Sequence, residues 1–497
     1  MNEGRILRPE DHVKDVESRT TVTRSGVGHS IPSTLTTGYR YARMGYTTVM
    51  EPATPPLKAR HTHEELNDTP IIDKASFPLL GNNWLVMEYL SQGKIDECAA
   101  YVAWVLQAAK GYAIKIVNPG GIEAWGWGKN VSNLDDQVPH FNITPREILR
   151  GLCKVNKLLN LPHTIHVHPN NLGKPGNFET TIETMDCLRD LGDGTPILHM
   201  THIQFEGYGG KDWFSITSEA PEIADYVNAH DHLTVDMGQI VFTDTTTMTA
   251  DGPFQYQLHL LSGNKWMNFD VEIESGAGIV PFRYRRSNLV NAVQWTVGLE
   301  LALLVKSPWK VYLTTDHPNG GPFTSYPKVI SWLMSKKARE RVTSKIPRGA
   351  RRRTSLESID RELSFSEIAV MTRAGTARAL GLKNKGHLAV GADADIAVYP
   401  VNPKLIDPSN DYKELIKAFR NASYVLKEGQ IIVSEGSIVQ STEGKTFWVD
   451  SKVPADLLSS ILPELESKFA EYYTVKMDNY LVRENYLGQS APIHTAM

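Results

Sequence analysis

The chain has 497 residues, 41% hydrophobic, 9% aromatic and 22% charged, a balance that excludes disorder, collagen and a coiled coil. Lys and Arg number 52 against 56 Asp and Glu, a net charge of −4, so nothing in the bulk electrostatics points to nucleic acid or a membrane surface as partner. No run reaches the roughly 18–20 apolar residues of a spanning helix and the opening MNEGRILRPEDHVKD is too polar for a secretory signal, which predicts a soluble cytoplasmic protein. Its three cysteines, Cys98, Cys153 and Cys187, are far apart and odd in number, so any metal is expected on His, Asp, Glu or Lys.

From about residue 40 to 330 one unit recurs: a short β-branched run, a loop rich in Gly, Pro or Asn, then a helical stretch. That rhythm predicts βα units and a parallel sheet. The strand candidates, in chain order, are YTTVMEP (46–52), YAIKIVNPGG (112–121), HTIHVHPNN (163–171), ILHMTHIQF (197–205), HLTVDMG (232–238) and WKVYLTTDHPNGG (309–321). Each ends in polar or ionisable residues, as expected of a (β/α)8 barrel whose active site is built from the C-terminal ends of its strands. A doubly wound open sheet would alternate similarly, but no G-x-G-x-x-G follows any strand.

Residues 288–305, apolar nearly all round, predict a buried helix. The charged run from Lys336 to Arg361 reads as an exposed loop, and Ser364 with Glu367 as a capping box opening a helix that Gly381 ends. Beyond it, 391–398, 422–434 and 437–449 read as short strands with Gly turns, which predicts a barrel over 1–385 and a small β unit with a C-terminal tail over 386–497.

Five of the 16 histidines, His163, His166, His168, His199 and His202, fall within 40 residues at the ends of two consecutive predicted strands. Strand alternation puts His166 and His168 on one face. His199 and His202 have opposite parity, so in a regular strand at most one of them shares that face. A carboxylate at Asp316, ending VYLTTD, can ligate a metal and take a proton from metal-bound water; its competing reading is an Asx-turn residue. Lys115 lies between Ile114 and Ile116, where a buried ammonium is costly unless paired or discharged. A discharged lysine can be carboxylated by CO2 into an anionic ligand; a plain ion pair is the alternative.

This order of strand-Lys, strand-His, strand-His, strand-Asp, followed by GADADIAV, resembles the amidohydrolase superfamily. More closely, the segments GYRYARMGYTTVMEPATPP, DTPIIDKASFPLLGNNW, GYAIKIVNPGG, DTTTMTADGPFQYQLH, NAVQWTVGLELALL and LTTDHPNGGPFTSYP resemble the formylmethanofuran dehydrogenase A-subunit family. The resemblance implies a (β/α)8 barrel with a β-sandwich side unit and a binuclear zinc site. Lys115 would be the carboxylated bridging ligand, His168, His202 and Asp316 further ligands, and Asp316 the proton shuttle; His166 and His199 are the rivals for the two histidine positions. It also implies interconversion of formate plus methanofuran with formylmethanofuran, beside a molybdopterin or tungstopterin subunit that forms the formate. The related methylotroph formyltransferase/hydrolase complex and a non-catalytic scaffold are the alternatives. Methanofuran carries several carboxylates, which the Lys336–Arg353 run would help receive if it is not simply a solvated face.

One feature of the family pattern is displaced. The superfamily opens with a strand ending in His-x-His that supplies two ligands; upstream of Thr47 this chain has only His12 and His29, and GRILRPEDH, which follows the motif in relatives, occupies residues 4–12. The expectation is a chain beginning just past the motif. His61 and His63 spell His-Thr-His but follow the TTV strand, where HTHEEL reads as the start of a helix.

Overall fold

A computed structural model of the chain describes residues 34–271, 274–473 and 475–497, with two short strand pieces at 17–18 and 29–30; residues 4–12, His12 among them, lie outside the described residues. Seven short strands run parallel and succeed one another in space as in sequence. Thr48–Thr54 pairs with Asp73–Pro78, and Leu79, next after it, bridges to Lys115. From Lys115–Val117 the order continues through Ile165–His168, Leu198–Met200 and Leu233–Asp236 to Val311–Tyr312. Helices such as Ile95–Ala109, Pro145–Leu158 and Ala220–Ala229 fill the connections, as parallel pairing requires. Among the described residues no ladder joins the Thr48 strand to the Val311 strand.

All six expected strand segments contain a strand. Asp73–Pro78 is an additional one: every residue in it is buried although it opens on two charges. Asp73 is compensated by Lys427 Nζ at 2.8 Å, Lys385 Nζ at 2.7 Å and the Lys445 amide, which donates to Oδ1 at 2.7 Å. Asp395 of the GADAD stretch completes the cluster, 2.7 Å from Lys385.

The helix at Leu289–Leu304 is buried around its circumference. Ahead of it an antiparallel ribbon, Asp244–Thr249 against Glu274–Arg283 with Met267–Val271 alongside, leaves the parallel sheet and folds over its C-terminal rim. Its Thr-rich first strand carries no hydrophobic alternation, which hid it from periodicity.

The Lys336–Arg361 run is not a loop. It forms helices Lys336–Thr343 and Arg348–Arg351 and a 3-10 turn at Leu356–Ser358. Ser335 caps the first helix by accepting from the Ala338 amide, and Arg339 is buried, its guanidinium donating to the carbonyls of Trp332, Ile359 and Arg361 at 2.8, 3.1 and 2.9 Å. Charge composition misled because this arginine satisfies carbonyls rather than water. The Ser364–Glu367 capping box is present, and Gly381 stands at φ +70° past the last helical turn.

Ile396–Val398, Tyr424–Lys427, Gln430–Ser434 and Ser437–Ile438 form a four-stranded antiparallel sheet. Residues 437–449 divide between two sheets, because Lys445–Lys452 turns away to pair in parallel with Gln489–Ala496 and, through Thr446 opposite Lys74, with the Asp73 strand. Among the described residues no helix is long and apolar enough to cross a membrane.

Candidate metal centre

The ladder registers set the site. Lys115 lies opposite His166, His166 opposite His199, and His199 opposite Thr234, so one row of the sheet carries a lysine and two imidazoles on a single face. Two residues further along, His168 pairs with Val117 and shares that face. His202 should point away by parity, but the strand ends at Met200 and His202 takes φ +42°, ψ 47°, which swings its ring back toward His168; the ring centroids are 4.8 Å apart, edge to face. Gly238 allows the turn, since a Cβ there would stand 2.5 Å from the His202 Cβ. The parity rule, which admitted only one of His199 and His202 to this face, fails because the regular strand stops short of His202.

Lys115, His168, His202 and Asp316 line one cavity of about 750 Å³, walled by Glu51, Phe205 and the antiparallel ribbon at Thr247 and Met248. His166 and His199 do not line it. His61 and His63 sit on the helix Ala59–Asn67; His63 is buried with Nε2 on the Ala109 carbonyl at 2.9 Å, while His61 faces solvent beside Glu64 at the cavity's outer edge.

A network of loop amides holds the histidines. Asn82 donates to the Val117 carbonyl at 2.7 Å, Asn170 to Asn118 Oδ1 at 2.8 Å, and Asn118 to Asp251 Oδ1 at 3.2 Å. Asp251 Oδ2 in turn lies 3.0 Å from His168 Nε2, which leaves Nδ1 as the atom available to a ligand. Glu206 Oε1 stands 3.5 Å from His202 Nδ1 without a hydrogen bond between them, so neither ring nitrogen of His202 is engaged by a carboxylate. A carboxylate-backed imidazole such as His168 is typical of histidines that bind metal.

Burial lowers the pKa of His168, opposed by the Asp251 hydrogen bond, and lowers His202 strongly, with His168 adding to the effect; both imidazoles are neutral at pH 7. Burial pushes Lys115 down to about 8, against the pull of Asp316, Asp236 and Glu206. It pushes Asp316 up to about 7, opposed by Asn319, whose Nδ2 donates to Oδ2 at 2.9 Å. Glu206 is raised well above the usual carboxylate range by burial, with Asp236 and Asp316 nearby, and neither of its oxygens has a hydrogen-bond partner. Two uncommitted imidazole nitrogens, a carboxylate and a dischargeable amine on one cavity are a donor set that fits a divalent cation of the zinc type. Sequence reading missed Asp251, Glu206 and Asn118; Asn118 stood only as the polar end of the strand candidate 112–121, and Asp251 only within a segment that carries the family resemblance.

The amidohydrolase family model matches residues 5–433. The chain belongs to the amidohydrolase family. Protein FwdA of Methanocaldococcus jannaschii is 54% identical over 98% of this chain and 86% of its own length. The A-type subunit of the formyltransferase/hydrolase complex Fhc of Methylorubrum extorquens is 37% identical over 87% of this chain and 77% of its own. The crystal structure of the formyltransferase/hydrolase complex from Methylorubrum extorquens with methylofuran superposes with a TM-score of 0.89 at 34% identity, covering 99% of this chain and 88% of that one. Membership of this family makes the chain a metal-dependent hydrolase with an α/β fold.

Proposed function

We propose that the chain is the A-type subunit of a formylmethanofuran dehydrogenase-type complex and interconverts formylmethanofuran with formate and methanofuran at the formamide C–N bond. The fold underneath is read as a (β/α)8 barrel over residues 1–385 with a β-sandwich side unit in 386–497. The observation that carries the reading is Lys115, His168, His202 and Asp316 meeting on one cavity in a chain 54% identical to Protein FwdA. Those four residues are the ligands proposed for a binuclear zinc site in which Lys115 is carboxylated. A lysine with a pKa near 8 has enough neutral amine at pH 7 for its nitrogen to attack CO2, forming an N–C bond and releasing one proton.

Zinc held there would supply an activated water and a Lewis acid for the formyl oxygen. The protein's own part is proton management: a formamide carbon gains oxygen, its C–N bond breaks, and the departing amine needs a proton. Asp316, poised near 7 and oriented by Asn319, can hold that proton on its carboxylate and return it to the amine nitrogen. Condensing formate with an amine is uphill in water, so formate delivered from a partner's active site at high local concentration accounts for a hydrolase living in a complex.

The test is metal analysis and turnover on the complex purified from its native cell. Two zinc ions per chain and release of formate from formylmethanofuran, lost in Asp316→Asn, are expected. Undiminished turnover in a preparation without bound metal would overturn the reading.

A further inference from the structure

The row of His166 and His199, together with Asp236 two residues beyond Thr234, holds a second group of ligating atoms that the formamide chemistry does not use. His166, His199 and Asp236 are buried, come from three adjacent parallel strands, and present one nitrogen or oxygen each, all within 4.8 Å of one another. None of the three lines the catalytic cavity.

The hydrogen bonds fix which nitrogen of His166 is bare. The Ala379 carbonyl can only accept, so His163 Nδ1, 2.6 Å away, carries a proton and donates it. The buried, uncharged imidazole has one N–H, already given to the carbonyl, so its Nε2 is a lone pair. That lone pair lies 3.1 Å from His166 Nδ1, which must therefore be the donor. His166 Nε2 is left as a lone pair, buried and without any hydrogen-bond partner. A buried unpaired acceptor costs about 1–3 kcal/mol, and His199 and Asp236 each bring a ligating atom within 4.8 Å of the imidazole.

On the other side of the gap, His199 has Thr234 Oγ1 at 2.9 Å from Nδ1 and Asp236 Oδ2 at 3.1 Å from Nε2. Thr234 accepts as readily as it donates, so the imidazole proton can sit on Nδ1 and free Nε2. Asp236 is braced by Thr314, whose hydroxyl donates to Oδ1 and leaves Oδ2 for the gap. Each ligand thus has a fixed outer partner: His163 behind His166, Thr234 behind His199, Thr314 behind Asp236.

We propose that His166 Nε2, His199 Nε2 and Asp236 Oδ2 form a separate buried site for one divalent cation of the zinc type, outside the catalytic cavity. Zinc takes His nitrogen and carboxylate oxygen at about 2.0–2.2 Å in a tetrahedral array, so ligand atoms on one ion stand about 3.3–3.6 Å apart, and a pair as far apart as 4.8 Å closes by about 1.2–1.5 Å when the ion binds. Three ligands on neighbouring strands make the ion a clasp across them. The hydrogen-bond network alone supports this site, independently of the proposed formamide chemistry.

Anomalous diffraction at the zinc edge from crystals of the wild-type complex tests it without substitution. The expected result is a peak bonded to His166, His199 and Asp236, present whether or not the catalytic cavity is filled. A density-free gap in crystals grown with zinc, or a peak that appears only at millimolar zinc, overturns it. In solution, chelator-stripped protein refilled with Co2+ should retain one equivalent in the His168→Gln/His202→Gln variant and lose that equivalent, with its visible absorption, when His166→Gln is added. Co2+ content and spectrum unchanged by His166→Gln would equally refute the site. An empty catalytic cavity would instead count against the proposed function and leave this site untouched.

Discussion

Replacing Asp73 by Asn would unpair a buried lysine where the antiparallel C-terminal sheet meets the parallel one. Asp73 is fully buried, and both its oxygens are engaged, one by Lys427 and Lys385, the other by the Lys445 amide. Breaking one side of a buried pair costs about 3–5 kcal/mol, because the remaining charge keeps its desolvation penalty. Asp395 stays 2.7 Å from Lys385 but 3.8 Å from Lys427, so only the second lysine loses its close buried carboxylate. The lower end, about 3 kcal/mol, is expected. With an unfolding entropy of roughly 2.1 cal/mol/K per residue, a chain of this size turns 3 kcal/mol into a fall in Tm of only ~3 °C, so urea denaturation is the more telling assay. Adding Lys427→Met should recover part of the loss, since the orphaned charge goes with it. A loss below about 1 kcal/mol, or strictly additive effects of the two substitutions, would refute the reasoning.

Asp316 should govern the acidic side of the rate profile: activity rises with pH as the carboxylate loses its proton, at a pH below the metal-free value of about 7 because a bound cation favours the carboxylate, and Asp316→Asn, with no proton to exchange, removes that limb and lowers turnover by about 10²-fold or more. In the metal-free chain the same group makes stability fall as pH rises from about 4 to 7, because the folded state holds a proton that the unfolded state has released; urea titrations at pH 5.5 and 7.5 should show a smaller difference in Asp316→Asn than in the wild type. Arg339→Leu strands three carbonyls and should cost about 3 kcal/mol in urea, whereas Arg352→Leu, on an exposed residue nearby, should stay within about 0.5 kcal/mol.

Much of the fold could be read from the chain because βα units advertise themselves twice, once in the β-branched run and once in the polar residues that follow it. Lys115 and Asp316 were visible for the same reason, as chemically costly residues at the ends of apolar strands, whereas His168 and His202 were preferred to His166 and His199 by the family resemblance and not by spacing. What escaped was whatever depends on a partner distant in sequence. Asp73 fell in no predicted strand, and the lysines that compensate it, Lys385 and Lys427, lie more than 300 residues further on. Arg339 vanished into a run of like charges, although only its neighbours face water. Asp251 lay in a Gly-Pro loop start, where an N-cap explains it equally well, and it does cap, accepting from the Phe254 amide while its other oxygen holds His168. The opposite parity of His199 and His202 was sound for a regular strand and gave way because a left-handed residue ends this one early.

The parallel pairing of Lys445–Lys452 with the Asp73 strand also bears on how the protein is made. The Lys445 amide reaches an oxygen 372 residues earlier in the chain. At roughly 5–20 residues per second, a ribosome needs on the order of 20–75 s to deliver that partner. For that interval one edge of the Asp73 strand has no ladder, and for most of it its aspartate has neither lysine, while the central strands from Lys115 to Asp236, which find their neighbours within a few dozen residues, can already close. The order of assembly is thus from the middle outward, and a strand that leaves the ribosome ahead of its neighbours is the one that waits longest for shelter.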